Sequence, residues 1–255
     1  MVLVGDVMSR DLVCVAPTDP ATRARSMIRR HGFRVLPVVD DGRLVGVISR
    51  ADVLRVTSGK ANIKVEGIMD RDTYTVSPQE EVASAARKIV SSGKKQLLVA
   101  DGNILGIISS LDVLTALAGD GSPSQSAMVG EVMSPDVVSC ASDELVSSVW
   151  GKIEASGFSG LPVVSGKKVV GMVTRMDLLK KGKARISRES GRSKNMQVKK
   201  VMNAPAVTIN DSCSVADAAK LMVERRILRL PVMGGGGELV GIVDVEDVLG
   251  AYAGR

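Results

Sequence analysis

A compound motif occurs four times along this chain of 255 residues and limits the folds that are open to it. Each copy opens with an aliphatic residue followed by Met, and the four dipeptides are Val7-Met8, Ile68-Met69, Val132-Met133 and Val201-Met202. Each copy closes with a Gly, two apolar residues, a short polar residue and, three positions later, an Asp. The closing glycines, 60, 65 and 70 residues apart, are Gly46, Gly106, Gly171 and Gly241. A motif that recurs at a nearly constant spacing indicates a repeat architecture of four diverged copies.

Hydrophobic periodicity within one copy changes from helical to strand-like. In the fourth copy, Ser214 precedes apolar residues at helical spacing, which predicts an amphipathic helix with a serine N-cap. In the first copy, two short apolar runs at 35–39 and 44–48 flank Asp40-Asp41-Gly42, a hairpin signal. A second helix is predicted after the Ser or Thr that ends the second run. Each copy therefore reads β-α-β-β-α, and the predicted fold class is α/β.

One such unit is too small to cover its own apolar surface, so we expect the copies to pair. The first predicted module is 1–118, with repeats at about 1–58 and 62–118. The second is 129–255, with repeats at about 129–181 and 198–253. A Gly/Ser-rich linker is predicted at 119–128 and a basic linker at 182–197.

Composition disfavours several classes of function. Aromatic residues make up 2% of the chain, so repeated base stacking on aromatic side chains is not expected. His31 is the sole histidine, which excludes His-paired triads and multi-histidine metal sites. We therefore expect no catalysis, no metal and no bound cofactor. The cysteines Cys14, Cys140 and Cys213 are interpreted as buried apolar residues, and with no apolar run near ~20 residues a cytoplasmic protein without membrane contact is predicted.

The net charge of +6 is concentrated in one segment. Residues 180–200 hold nine Lys or Arg and one acid, Glu189. This density suits contact with nucleic-acid phosphates. A solvated insertion, an acidic protein partner and contact with ligand phosphates are the alternatives.

The motifs together resemble cystathionine-β-synthase (CBS) domains. The resemblance is carried by the Val7-Met8-Ser9 opening, the Gly-Phe-x-x-Leu-Pro-Val-Val strand at 32–39 and the Gly-h-h-Ser/Thr-x-x-Asp ending, where h is apolar. It covers nearly the whole chain, and two tandem copies would form a Bateman module. It implies a regulatory sensor of AMP, ADP or ATP, with S-adenosylmethionine or methylthioadenosine as the alternative. It further implies an unidentified regulated protein, and module stacking could produce a homodimer.

The closing motif has two interpretations. Ser49 and Asp52 are spaced as a helix capping box, and the same pattern recurs as Ser109-x-x-Asp112 and Thr174-x-x-Asp177. The resemblance implies instead that the hydroxyl contacts phosphate or ribose and that the Asp binds the ribose diol. Repeat 4 has Asp244 at the hydroxyl position, where a carboxylate would still cap a helix but repel phosphate. We therefore expect repeat 4 to be a degenerate site.

The resemblance also implies that residues before the strand proline line a base and phosphate pocket. Repeat 1 has Phe33 and Arg34 there, although a core Phe and a solvated Arg are the alternative interpretation. Repeat 2 lacks the proline and is interpreted as one residue shorter, with Leu97 at the position of Pro37 and with Lys94 or Lys95 within reach of phosphate. Arg229 of repeat 4 could serve the repeat 3 site. The expected ranking places repeats 1 and 3 above repeat 2, and repeat 4 last. The complete set of candidate nucleotide-binding residues is Phe33, Arg34, Val35, Val47, Ser49, Asp52, Ser109, Asp112, Phe158, Ser159, Gly160, Met172, Thr174, Asp177 and Arg229.

Overall fold

The computed structural model describes residues 2–55, 63–119, 127–166, 168–180 and 196–254. The chain divides into two compact units. Unit 1 is Met1–Ser122 with Tyr252–Arg255, and it contains repeats 1 and 2. Unit 2 is Pro123–Ala251, and it contains repeats 3 and 4.

The four repeats share one order of elements, except that repeat 1 lacks the first short strand and that the opening turn is α-helical in repeats 1 and 3 and 3-10 in repeats 2 and 4. Repeat 1 consists of α1 (Val4–Val7), α2 (Ala21–His31), β1 (Val35–Asp40), β2 (Arg43–Ser49) and α3 (Arg50–Arg55). Repeat 2 consists of a 3-10 turn (Val65–Gly67), β3 (Thr75–Val76), α4 (Val82–Ser92), β4 (Gln96–Asp101), β5 (Asn103–Ser109) and α5 (Ser110–Gly119). Repeat 3 consists of α6 (Val129–Val132), β6 (Cys140–Ala141), α7 (Val146–Ser156), β7 (Gly160–Ser165), β8 (Lys168–Thr174) and α8 (Arg175–Lys180). Repeat 4 consists of a 3-10 turn (Val198–Lys200), β9 (Ile209–Asn210), α9 (Val215–Arg225), β10 (Arg229–Met233), β11 (Leu239–Asp244) and α10 (Val245–Tyr252). The predicted α/β fold of paired β-α-β-β-α repeats is confirmed.

A small sheet forms the centre of each repeat. The first short strand pairs in parallel with the next strand, which pairs antiparallel with the last one. In repeat 1 the first strand is reduced to a single parallel bridge between Val15 and Val38. The predicted β1–β2 hairpin is confirmed, and its two-residue turn places Asp41 at φ 44° and Gly42 at φ 81°. Both angles lie in the left-handed region that such turns require.

The cores of repeats 1 and 3 each include a buried residue from the partner repeat. In repeat 1, Ala24 and Ile28 lie one turn apart on α2 and belong to the same buried cluster as Leu36 and Val38 of β1. Val65, from the opening turn of repeat 2, is fully buried in that cluster. Val198 of repeat 4 is buried in the core of repeat 3 in the same way. Pairing therefore closes the cores of repeats 1 and 3.

The Met and Gly of the motif meet across the repeat pair. Ser9 of repeat 1 bridges Ile107 of repeat 2, and Asp70 of repeat 2 bridges Val47 of repeat 1. A Cβ added at Gly106 would lie 2.7 Å from the Met8 sulfur and 2.8 Å from the Ser9 carbonyl oxygen. Only glycine leaves room for this close approach, which explains why both residues recur in the motif.

Repeat 2 is one residue shorter than repeat 1, as predicted, but the missing residue lies in the hairpin turn and not before the strand, as the sequence had suggested. Helices α2 and α4 both span 11 residues and end at glycines in the left-handed conformation, Gly32 and Gly93. Leu98 pairs with Ile107 as Pro37 pairs with Val47, so Leu98 rather than Leu97 takes the place of the proline. Lys94 and Lys95 therefore take the places of Phe33 and Arg34. Leucine can occupy this strand position. The absence of proline therefore leaves the strand intact but removes the residue by which the sequences of the repeats are aligned.

The cysteines differ in burial, so the prediction that all three are buried holds for only one. Cys140 is buried, whereas Cys14 and Cys213 are partly exposed. Burial raises the pKa of the Cys140 thiol to about 11, with a smaller contribution from the nearby charge of Glu144. The Cys140 thiol therefore stays protonated at neutral pH and is unreactive.

Candidate functional site

The closing motif forms a capping box at the start of the last helix of each repeat. In repeat 1 the backbone NH of Ser49 donates to Asp52 Oδ2 at 2.9 Å, and the backbone NH of Asp52 donates to Ser49 Oγ at 3.3 Å. The Ser49 hydroxyl also donates to Asp52 Oδ2 at 2.5 Å. The pairs Ser109–Asp112 and Thr174–Asp177 repeat this arrangement. The capping interpretation is confirmed, and the box holds each Asp carboxylate in a fixed place.

A cleft of about 230 Å³ opens beside Ser49 and Asp52 and is called cleft 1. Repeat 1 contributes Val35, Val47, Ser49 and Asp52 to its lining. Repeat 2 contributes Asp70, Asp72, Tyr74, Lys94, Gln96 and Leu98. Four residues predicted for the repeat 1 site thus share one cleft, and more than half of the lining comes from the other repeat.

Tyr74 and Lys94 are lining residues that sequence reasoning did not assign to this site. The Lys94 Nζ lies 5.1 Å from the centroid of the Tyr74 ring and 3.4 Å from Asp70 Oδ2. Tyr74 has an exposed fraction of 43%, large for an aromatic residue, and its ring offers a surface on which a planar group could stack. The sequence could have indicated them if the residues before the strand of one repeat had been assigned to the cleft of the other repeat. Lys94 occupies the position in repeat 2 that Phe33 occupies in repeat 1.

Phe33 and Arg34 are not among the described residues that line cleft 1. The Phe33 ring stacks on His31 with centroids 5.1 Å apart, and its carbonyl oxygen accepts from Arg50 Nη2 at 2.8 Å. Burial, together with the nearby charge of Arg34, lowers the pKa of Arg50. Because Lys94 lines the cleft of the opposite repeat, we expect its counterpart Phe33 to lie on the side of Ser109 and Asp112.

Arg229 of repeat 4 contacts the predicted residues of repeat 3. Its Nη1 donates to the Gly160 carbonyl oxygen at 3.2 Å and to Ser159 Oγ at 3.4 Å. Its guanidinium carbon lies 6.0 Å from the centroid of the Phe158 ring. The structure therefore brings Phe158, Ser159, Gly160 and Arg229 together, while the role of Arg229 in a repeat 3 ligand site stays a prediction.

The Thr174–Asp177 pair is also met by a residue of repeat 4. Asn203 bridges Met172, as Asp70 bridges Val47 in unit 1. The Asn203 Nδ2 donates to Asp177 Oδ2 at 3.0 Å. The position after the opening Met thus faces the motif Asp of the partner repeat.

Repeat 4 keeps its helix cap and adds an ion pair. Asp244 Oδ1 accepts from the backbone NH of Glu246 at 2.8 Å, and the Asp244 NH donates to Asp247 Oδ2 at 2.8 Å. Arg229 Nη2 lies 3.4 Å from Asp244 Oδ2, and both side chains have an exposed fraction of 17%. Burial raises the pKa of Asp247 to about 6, and the charges of Asp244 and Glu246 act in the same direction.

The basic segment falls largely where the structure gives no description. Of the charged stretch 180–200, residues 181–195 lie outside the described residues, and so do residues 120–126 of the predicted linker. In the described ranges, no group of three His, Cys, Asp or Glu residues could hold a metal ion. No helix within those ranges is both long and apolar enough to cross a membrane.

Comparison with known proteins identifies the repeat. The CBS domain family model matches residues 4–59, 65–119, 129–183 and 198–254. Protein MJ1404 of Methanocaldococcus jannaschii is 28% identical over 96% of this chain, which spans 61% of that relative's length. The crystal structure of protein MJ1225 from the same organism has a TM-score of 0.80 at 23% identity and covers 97% of this chain and 99% of its own. A conserved protein from Pyrococcus horikoshii has a TM-score of 0.72 at 23% identity, covering 98% of this chain and 100% of its own.

Enzymes also match, but only over part of their length. The inosine-5'-monophosphate dehydrogenase of Korarchaeum cryptofilum is 36% identical over 107 residues, which are 41% of this chain and 22% of that enzyme. The likeness therefore leaves most of the enzyme unmatched. With four matched domains spread over nearly its whole length, the chain belongs to the CBS domain family.

Proposed function

We propose that this chain is a non-catalytic regulatory protein that binds adenosine-type ligands in clefts between paired CBS repeats. Cleft 1 is the observation that carries the proposal, because both repeats of unit 1 contribute its walls around the Ser49–Asp52 pair. A ligand in this cleft would contact both repeats. Its binding energy would therefore favour whichever arrangement of the two repeats fits it best.

The chemistry of cleft 1 suits a nucleoside. Val35, Val47 and Leu98 supply apolar wall for a base. Asp52 is held by the capping box with a carboxylate that could accept from both ribose hydroxyls. The volume of about 230 Å³ lies just below the ~300–1,000 Å³ that is usual for small-molecule pockets, which favours a nucleoside or mononucleotide over a dinucleotide.

The proposed ligands are AMP, ADP and ATP, with S-adenosylmethionine and methylthioadenosine as the second group. All of them share the adenosine moiety that Asp52 and the apolar wall would recognise. In unit 2, Thr174 and Asp177 are the counterparts of Ser49 and Asp52 and would bind the ribose of a second ligand.

Thermal unfolding of the intact chain with each compound tests this function. A ligand at ~100 times its dissociation constant should add ~2.7 kcal/mol to the free energy of unfolding and raise the melting temperature. Guanosine and NADH serve as controls for the base and for ligand size. The proposal fails if no adenosine compound raises the melting temperature. It also fails if Asp52→Asn and Asp177→Asn, which keep a capping acceptor, both leave every shift unchanged.

A further inference from the structure

The wall of cleft 1 is acidic. Three lining residues carry carboxylates, Asp52, Asp70 and Asp72, and Lys94 is the one basic residue among the described lining. The Lys94 Nζ lies 3.4 Å from Asp70 Oδ2, so its charge is already shared with one of these carboxylates. The backbone NH of Asp72 donates to Asp70 Oδ1 at 3.0 Å, which keeps Asp72 beside Asp70. The charge of the lining is therefore negative.

No other described residue that lines cleft 1 supplies a compensating positive charge. The Ser49 hydroxyl donates to Asp52 Oδ2 at 2.5 Å, so it is engaged with a carboxylate. The backbone NH groups of Ser49 and Asp52 are engaged in the capping box. A phosphate placed here would meet carboxylates at short range without a matching set of donors.

The counterpart of cleft 1 in unit 2 differs in charge. The region around Thr174 and Asp177, which correspond to Ser49 and Asp52, is called cleft 2. The strand registers place Asn203 at the position of Asp70, and two residues later Pro205 replaces Asp72. The contact of Asn203 Nδ2 with Asp177 Oδ2 at 3.0 Å shows that this position faces the motif carboxylate. Two carboxylates of cleft 1 are therefore replaced by uncharged residues in cleft 2.

The cations of the two clefts also differ, since Ile227 takes the position of Lys94. The registers place Arg229 at the position of Gln96, which lines cleft 1. Arg229 reaches repeat 3, donating to the Gly160 carbonyl oxygen at 3.2 Å. Its Nη2 lies 3.4 Å from Asp244 Oδ2, so its charge is shared with a carboxylate of repeat 4, and the contrast between the clefts rests on the carboxylates that cleft 2 lacks.

We propose that cleft 1 selects adenosine ligands whose 5′ substituent is uncharged or cationic, such as a sulfonium, whereas cleft 2 accepts a 5′ phosphate. This inference rests on the proposed function and specifies the ligand class of each cleft. The two units would then respond to two different adenosine compounds.

Calorimetric titration of the intact chain with S-adenosylmethionine, adenosine and AMP tests this assignment. Asp52→Asn should weaken S-adenosylmethionine binding at least about tenfold and leave AMP binding unchanged, whereas Asp177→Asn should do the reverse. In the Asp177→Asn background, the further changes Asp70→Asn and Asp72→Asn remove two negative charges from cleft 1. They should strengthen AMP binding by about tenfold and leave adenosine binding within about twofold.

Two outcomes overturn the inference, and they are distinguishable. In the first outcome, AMP binds the Asp177→Asn variant as tightly as S-adenosylmethionine does, and its affinity does not change when Asp70 and Asp72 are replaced. The charge assignment is then wrong while the proposed function stands. If no adenosine compound binds the unmodified chain, the proposed function fails and this inference fails with it. Unchanged far-UV circular dichroism and cooperative unfolding of each variant show that a loss of binding is not a loss of fold.

Discussion

Arg229 changes the interpretation of the closing motif in repeat 4, because it pairs with the aspartate that replaces Ser or Thr there. The sequence alone suggests that Asp244 disables repeat 4 by placing a carboxylate where the other repeats have a hydroxyl. In the structure Asp244 is paired with Arg229 at 3.4 Å, and the same guanidinium extends to Gly160 of repeat 3. The substitution of Asp for Ser or Thr is therefore accompanied by a counter-charge from the neighbouring strand.

Asp247 should make the stability of unit 2 depend on pH. Burial raises its pKa from 3.8 to about 6, so the folded chain holds a proton that the unfolded chain releases. This stabilising contribution is complete below about pH 3.8 and is lost as the pH rises through about 6. Asp247→Asn keeps an acceptor for the Asp244 NH but does not titrate. Relative to wild type, the variant should gain roughly 1–2 kcal/mol between pH 4 and pH 7, a range reduced for partial solvent exposure.

Urea unfolding of both proteins across that pH range measures the difference in free energy of unfolding. A difference that stays constant with pH would show that Asp247 does not titrate in this window. Glu80, Glu144 and Asp217, whose pKa values are lowered by hydrogen bonds from Lys88, Lys152 and Ser214, stabilise both proteins at higher pH. They cancel in the comparison because both proteins contain them.

At the scale of elements, the contact between the opening segment and the closing glycine should tolerate no added side chain. A Cβ at Gly171 would lie 2.8 Å from the Asn203 carbonyl oxygen and 2.9 Å from the Met202 sulfur. The backbone cannot retreat without breaking the paired hydrogen bonds between Met172 and Asn203, at 2.9 and 2.8 Å. Gly171→Ala should therefore lower the free energy of unfolding by about 1–3 kcal/mol.

Gly151→Ala is the matched control in the same repeat. Gly151 lies inside α7, and an added Cβ would have no neighbouring atom within 4 Å. Alanine should be neutral or stabilise this helix by up to ~1 kcal/mol. Equal destabilisation by both changes, measured by urea unfolding, would show that the close approach at Gly171 does not govern stability.

Elements were predictable where the signal is local. The Asp41-Gly42 turn and the Ser214 cap depend on residues next to each other in the chain, and both were predicted. The cleft was only partly predictable, because Tyr74 and Lys94 approach Ser49 through the pairing of two repeats. The register of repeat 2 was predicted wrongly because Leu98 stands next to Leu97, and the sequence does not distinguish which of the two occupies the proline position.

At the scale of the whole molecule, both units pair their two repeats in the same way but differ in the residues that face the clefts. Each unit pairs two repeats through reciprocal bridges, Ser9–Ile107 with Val47–Asp70 in unit 1 and Ser134–Ile242 with Met172–Asn203 in unit 2. The glycines that allow this close pairing, Gly46, Gly106, Gly171 and Gly241, are the same in all four repeats. The positions that face the clefts have diverged, as Asp70 and Asn203 show, which is the pattern expected of one scaffold with two specificities.

Hydrogen–deuterium exchange of the intact chain with and without a saturating adenosine ligand tests most directly whether binding occurs in a cleft shared by two repeats. S-adenosylmethionine, the proposed cleft 1 ligand, should slow exchange both at residues 47–52 of repeat 1 and at residues 70–74 and 94–98 of repeat 2. The two regions should gain protection at the same ligand concentration, and both gains should disappear in Asp52→Asn. Protection confined to one repeat, or unaffected by Asp52→Asn, would contradict the shared cleft.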